Sequence, residues 1–235
     1  FQGLSLGAVY SLVAIGLVLI YKATDVLSFA QPALAVAGAG IISFLAVDRG
    51  LSFWIALPLG IFITGILGLV IERTFLRAMV GEPVFSVAIL TIGIDILIRT
   101  VLDDWIGLNP RYMGDSFSMM GNFGSLNIGG VSLKYLELTA LVAAIVVIAL
   151  LSIFFKFSKY GLAMRATSFD QEASLAQGIN VGRVIALVWF IAAMLASLSG
   201  FFITGGFNGL TQASFVTALR LSLIHISEPT RRNSI

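Results

Sequence analysis

Six apolar stretches, each long enough to cross a bilayer as a helix, constrain this chain more than anything else in it. They run Leu4–Tyr21, Phe29–Val47, Phe53–Ile71, Phe85–Leu102, Leu136–Phe155 and Val184–Ile203. A helical crossing of the hydrocarbon layer takes roughly 20 apolar residues. Inside lipid every backbone N–H and C=O must be satisfied within the protein, which leaves helices as the solution for runs of this length. The expected fold is therefore all-α, a polytopic transmembrane helical bundle with six spans. The residues outside the runs are too few to form a separate soluble domain. Only 11% of the chain is charged, against about one-quarter in a soluble domain. The 24 glycines suit helices that pack closely in lipid. The first two runs also permit a reading as one interrupted pair.

The loops orient the bundle. Lys22, Arg73, Arg77, Lys156, Lys159, Arg165 and Arg183 fall on one set of alternate loops, and Arg49, Arg111 and Lys134 on the other. Lysine and arginine accumulate on the cytoplasmic side, so the first set is expected inside. The N-terminus, the polar stretch Asp103–Lys134 and the region after Ile203 are then expected outside. Within that polar stretch, "NIGGVS" (Asn127–Ser132) reads as turn material. Residues Phe207–Arg220 read as the start of a seventh segment or of a re-entrant hairpin.

Several chemistries are excluded or unsupported. There is no cysteine, so disulfides, thiolate nucleophiles and cysteine metal sites are ruled out. A net charge of +2 gives no reason to expect nucleic acid. The phosphate-binding G-x-x-x-x-G-K-[ST] loop is missing, so this chain cannot cradle ATP in that way. No cofactor, metal or catalytic role is expected of it. Its one histidine, His225, would invite a proton-relay reading. However, "LSLIHISEPTR" (Leu221–Arg231) resembles the in-frame translation of a transposase adapter used in preparing sequencing libraries. The expected division is a transmembrane domain over 1–220, incomplete at its C-terminal end, and adapter read-through over 221–235. The start at Phe1, without an initiator methionine and already apolar, is expected to reflect a fragment or a processed start.

One polar island, Lys159–Arg183, stands out between the fifth and sixth runs. Ser168-Phe-Asp-Gln171 fits a capping box, with the serine hydroxyl accepting three residues on and Gln171 reaching back. Asp170 and Glu172 place negative charge in the first turn, where the helix dipole favours it. Gly178 can end the helix in the left-handed conformation. About nine residues lie between, far too few to span. Leu162, Ala166, Phe169, Ala173 and Ala176 are spaced four, three, four and three, the last three forming one narrow apolar stripe. Glu172, Ser174 and Gln177 fall on other faces. The island reads either as a connector in the headgroup layer anchored by Phe169, or as a docking element for a cytoplasmic partner.

Polar residues also occur inside the runs. Asp95 and Arg99 share one helix face at i, i+4, and ionisable groups at membrane depth point to function or to a structural ion pair. "DVLSFAQPA" (Asp25–Ala33) interrupts the pattern between the first two runs. Pro32 suits the first turn of a helix. Ser28 and Gln31 are candidates for substrate contact or for the cytoplasmic mouth, or are simply part of a helix start. Gly3 with Gly7, and Gly60 with Gly65 and Gly68, read as close-packing faces. The faint likeness of "LSFAQPA" (Leu27–Ala33) to "LTQASFV" (Leu210–Val216), in opposite orientations, would fit an inverted repeat.

"KYGLAMRATSFDQEASLAQGINVGRVIALVWFIAAMLASLSG" (Lys159–Gly200) resembles the permease subunit of a branched-chain amino-acid ABC importer. The family's G-x-A-x-R-A is met by Gly161, Ala163, Arg165 and Ala166. Its G-I-N is met by Gly178, Ile179 and Asn180, with Arg183 after it. Ser174 stands where the family usually has alanine. Ser28-Phe29-Ala30-Gln31 matches a second landmark and "IERTFLRAM" (Ile71–Met79) a third, with Pro83 standing for its following proline. The likeness extends over nearly all of residues 1–220. It implies that the island carries a short cytoplasmic coupling helix, with Arg165, Ser168, Asp170, Glu172, Ala173, Ser174, Gln177 and Gly178 at the ATPase contact. It further implies a homologous second permease subunit, two cytoplasmic ATPases and an external substrate-binding protein, in a bacterial or archaeal inner membrane. Ser28, Gln31, Pro32, Asp95 and Arg99 are the candidates for the translocation path. Two other readings stay open: a permease of the same kind for urea or short amides, and an ion-coupled secondary transporter using Asp95. A structural scaffold is the third.

Overall fold

The computed structural model describes residues 2–79, 83–106, 125–128 and 131–207. Six helices among them are long and apolar enough to cross a membrane. Helix α1 is Gln2–Thr24 and α2 is Gln31–Ser43, extended by a π-helical turn, Phe44–Asp48. Helix α3, Phe53–Ile71, continues through a second π turn, Glu72–Leu76, and a 3-10 turn, Arg77–Met79. Helix α4 is Val84–Ile106 and α5 is Tyr135–Phe157. The island forms two short helices, α6 (Lys159–Phe169) and α7 (Gln171–Ala176). Helix α8 is Val181–Phe207. The all-α bundle with six spans is as expected, and α1 and α2 are separate helices.

The polar stretch contains more order than its composition announced. Strands β1 (Ser125–Ile128) and β2 (Val131–Lys134) pair antiparallel, with Ile128 opposite Val131. Gly129 and Gly130, which lie outside the described residues, sit between them, where a two-residue hairpin turn calls for glycine. The strands, only four residues each, were not legible in the sequence.

Helix α8 is the hub. Helices α1, α2 and α3 all pack on it, and α2 also touches α3 and α4. Most of α2 and α8 is buried, whereas little of α4 or α5 is. Lipid tails are as apolar as leucine side chains, so spanning helices associate through close contact rather than hydrophobic exclusion. The seams show how. A Cβ on Gly38 of α2 would strike Ser197 of α8, and one on Gly200 of α8 would strike the carbonyl of Ala35. A Cβ on Gly68 would lie 2.8 Å from the Trp189 carbonyl oxygen, and one on Gly65 would lie 2.8 Å from the Phe190 ring. Gly60 abuts Ile42 in the same way. The expected face of Gly60, Gly65 and Gly68 is thus a real seam, with α2 and α8 as its partners. Gly3 and Gly7 are different: a Cβ on either meets nothing within 4 Å in this chain. Their reading as a helix contact is not supported within this chain.

One polar contact crosses the α3–α8 seam. Thr64 of α3 donates to the Gly60 carbonyl at 2.8 Å and lies 3.4 Å from the Ser197 hydroxyl of α8. Both side chains are fully buried. The seventh segment, "LTQASFV", His225 and the tail after Arg220 lie outside the described residues.

Two outcomes follow. Gly200→Val should unfold or strongly destabilise the chain, by more than the ~1–3 kcal/mol of ordinary overpacking, because the obstacle is backbone. Gly93→Ala, where a Cβ meets nothing within 4 Å, should change little; thermal melts of detergent-solubilised protein compare the two. The chain has no cysteine, so single cysteines at Gln177 and Ser52 can report sidedness. An impermeant maleimide should reach them from opposite faces of the membrane, and labelling from the same face would refute the topology.

Candidate functional site

Residues from five elements converge at one end of the bundle around a cavity of about 800 Å³. Its lining includes Asp25 beyond α1, Glu72 and Arg77 beyond α3, Val87 of α4, Thr167 to Glu172 of the island, and Val181, Gly182 and Ile185 of α8. That gathering puts the ends of α1 and α3, the starts of α4 and α8, and the whole island on one side. The grouping is what alternation of the spans requires, and it is the side on which the basic loops are expected.

The island is built differently from its expected form. Ser168 does not cap: its hydroxyl donates to the Arg165 carbonyl at 2.8 Å. The cap is Asp170, two residues later. Its carboxylate accepts from the Ala173 N–H at 2.9 Å, and its own backbone is extended, with φ −157° and ψ 113°. The capping-box expectation is therefore corrected. Aspartate accepts this bond as well as serine does, and Phe169 already belongs to α6. The expected rod of about nine residues is likewise two helices joined at Asp170. Gly178 does end the segment in the left-handed region, at φ +83°. Its N–H donates to the Leu175 carbonyl at 3.0 Å, and that of Ile179 to the Ser174 carbonyl at 3.0 Å. Asn180 then caps α8 by accepting from the Arg183 N–H at 3.1 Å.

The stripe residues Phe169, Ala173 and Ala176 face away from the bundle, as both the headgroup-anchor and the docking readings require. Gly161, Met164, Thr167 and Ser174 are buried, while Leu162, Phe169 and Leu175 are exposed. Phe169 is 91% exposed. Spacing located an amphipathic pattern, but the bundle takes up the small and polar side. Ser174, expected at the ATPase contact, is 4% exposed. The buried position holds a small side chain. Arg165, Ser168, Asp170, Glu172, Ala173, Gln177 and Gly178 remain exposed.

One contact ties the island to the spans. Gln171, expected to reach back to its own helix start, instead donates to the Ala23 carbonyl at the end of α1, at 3.1 Å. Helix α1 closes immediately afterwards through Asp25, a non-glycine residue at φ +55° whose N–H donates to the Tyr21 carbonyl at 2.8 Å. Aspartate tolerates this region better than most residues.

The interruption that follows is buried. The Phe29 N–H is satisfied by the Thr91 hydroxyl of α4 at 3.2 Å. Pro32 lies in the first turn of α2, as expected. Gln31 is fully buried and donates to the Ala192 carbonyl of α8 at 3.0 Å; Gly16 of α1 leaves room for its amide. Ser28 is also buried. The Ser28 hydroxyl, the Gln31 amide oxygen, the Trp189 indole nitrogen and one Glu72 carboxylate oxygen are buried without a hydrogen bond. Trp189 and Glu72 were not singled out in the sequence. Glu72 had a signal, as a lone acid ending an apolar run; Trp189 had none, since aromatic residues are ordinary in such runs.

Asp95 and Arg99 of α4 form an ion pair, Nε to Oδ2 at 2.8 Å, with the second guanidinium nitrogen 3.3 Å from Oδ1. They are the structural pair that their spacing allowed. The structure thus forms two groups from the candidates. Ser28, Gln31 and Pro32 sit together at the start of α2, and Asp95 with Arg99 forms a separate pair on α4.

The model for the permease component of branched-chain amino acid transport systems matches residues 1–227. The high-affinity branched-chain amino acid transport system permease protein BraD of Pseudomonas aeruginosa is 27% identical over 209 residues, 84% of this chain and 67% of BraD. The permease protein LivH of Salmonella typhimurium is 26% identical over 219 residues, 89% of this chain and 70% of LivH. A probable branched-chain amino acid transport permease protein, LivH of Methanocaldococcus jannaschii, is 26% identical over 192 residues, 80% of this chain and 60% of that protein. No solved structure matches the chain. This multi-pass membrane protein belongs to the family of permease components of branched-chain amino acid transport systems.

Proposed function

We propose that the chain is a membrane-spanning subunit of an ABC importer for branched-chain or other hydrophobic amino acids, with α6–α7 as its coupling element. The observation that carries this is the outward display of Leu162, Phe169 and Leu175 beside Asp170 and Glu172. A connector in the headgroup layer has no need of two capped helices and an acidic rim. An apolar patch rimmed by charge is the anatomy of a protein contact. Energy comes from two cytoplasmic ATPases seated there. A homologous second permease subunit and an external substrate-binding protein complete the importer, and ATP hydrolysis resides on the partners.

The coupling step has a structural route in this chain. Closure of the ATPases displaces α7. Gln171 passes that displacement to the end of α1, and the left-handed Asp25 lets α1 move against the buried start of α2. Gly178 lets α8 follow at its N-terminal end. A two-state bundle biased by nucleotide in this way needs differential contact in its two states, not new chemistry in the permease. The Asp95–Arg99 pair weighs against the ion-coupled reading, since a carboxylate already neutralised by arginine has little to offer a passing cation.

Two variants in the assembled importer test this. Leu175→Glu should release the ATPase, by about thirtyfold or more if Leu175 is an anchor of the contact. Gln171→Ala should leave ATPase co-purification intact and lower amino-acid uptake per ATP hydrolysed. A photo-crosslinker at Gln177 should capture the ATP hydrolase in native membranes. Its consistent failure to do so, with uptake that persists without any ATPase, would sink the proposal.

A further inference from the structure

A second cavity, of about 410 Å³, opens beside the island, at the seam of α1, α5 and α6. Helix α1 contributes Ala14, Ile15, Val18 and Leu19, one face at helical spacing, and ends that face with Lys22. The other wall holds Phe155 of α5 and Met164 and Arg165 of α6. The lining is apolar except for Ser168 and these two cations, and it contains no carboxylate. Among the described residues, neither Lys22 nor Arg165 pairs with an acid. Val18, in the groove, is 47% exposed, and α5 beside it is exposed along most of its length. The groove is therefore continuous with the lipid-facing surface, and its two charges lie at the end of a span, where a bilayer has its headgroups.

We propose that this groove is a binding site for an anionic glycerophospholipid, with an acyl chain along Ala14, Val18 and Phe155 and the headgroup phosphate between Lys22 and Arg165. Charge complementarity selects the occupant: two unpaired cations over an apolar slot accept an anion with a hydrocarbon tail. Basic pockets between spanning helices on the cytoplasmic side hold such headgroups by the same logic. The site lies beside α6, whose far end leads into α7 at Asp170. A bound lipid thus braces the island against α1. This inference is independent of the proposed importer function, because it needs only the groove, the charges and a membrane.

The test uses the full chain in its native assembly, reconstituted in nanodiscs of phosphatidylcholine with a minor fraction of phosphatidylglycerol. The phosphatidylglycerol carries a diazirine in its acyl chain, and lipid retained on extraction is counted by native mass spectrometry. Wild type should retain phosphatidylglycerol over phosphatidylcholine by about thirtyfold, from two cations near the surface. The crosslink should fall on α1 between Ala14 and Leu19. Lys22→Gln with Arg165→Gln should abolish the preference. Lys156→Gln with Lys159→Gln, at the same end but outside the groove, should keep it. If the double glutamine variant does not fold, Lys22→Arg with Arg165→Lys should keep the preference and Ala14→Phe should displace the crosslink. Equal retention of both lipids by wild type, or a preference indifferent to these variants, overturns the site.

Discussion

Everything in this bundle depends on how closely α2 and α8 approach. Their backbones meet where Gly38 faces Ser197 and Gly200 faces the Ala35 carbonyl. No larger residue fits at either place. Because lipid offers no hydrophobic drive between helices, this contact has to be made by van der Waals fit and by buried hydrogen bonds. Thr64 with Ser197, and Gln31 with the Ala192 carbonyl, supply polar contacts at the same seams. Helices α1 and α3 then pack on α8, while α4 and α5 stay largely exposed. Their exposed faces suit lipid or a partner subunit.

The seam also gives the proposed coupling by the island a route into the spans. Helix α8 leaves the island through Asn180 and runs directly into the close-packed centre. Helix α1 receives the Gln171 amide at its last turn and passes into the buried start of α2. A movement of α7 therefore reaches both sides of the α2–α8 contact. Packed interfaces of this kind rearrange between discrete states rather than deforming smoothly. The large cavity beside the island has buried Glu72 in its wall.

The island shows where sequence reasoning reaches its limit. Its position, its polarity, its termination at Gly178 and its brevity were all legible, because each rests on local chemistry. The cap was misplaced by two residues, since Ser168 and Asp170 are both competent caps. Only the path of α6 decides between them. The apolar stripe was found, and it faces away from the bundle. Helical spacing says which residues share a face, and it cannot say whether the bundle or a partner covers that face. Gln171 was assigned to its own helix because Ala23, 148 positions away in the chain, is invisible to any local rule.

By itself the sequence determined that this chain is a multi-pass helical membrane protein, with six apolar spans among the described residues. It also determined which loops carry the basic residues and where a short polar element interrupts the apolar runs. Those follow from the cost of bare backbone in hydrocarbon and from charge, and both act on contiguous residues. Tertiary structure alone decided that α8 is the hub. It decided too that the buried side of the island is its small, polar side, and that Lys22 and Arg165 meet across one groove. These are pairings of distant positions, set by which surfaces fit at close range, and that fit depends on all the helices at once.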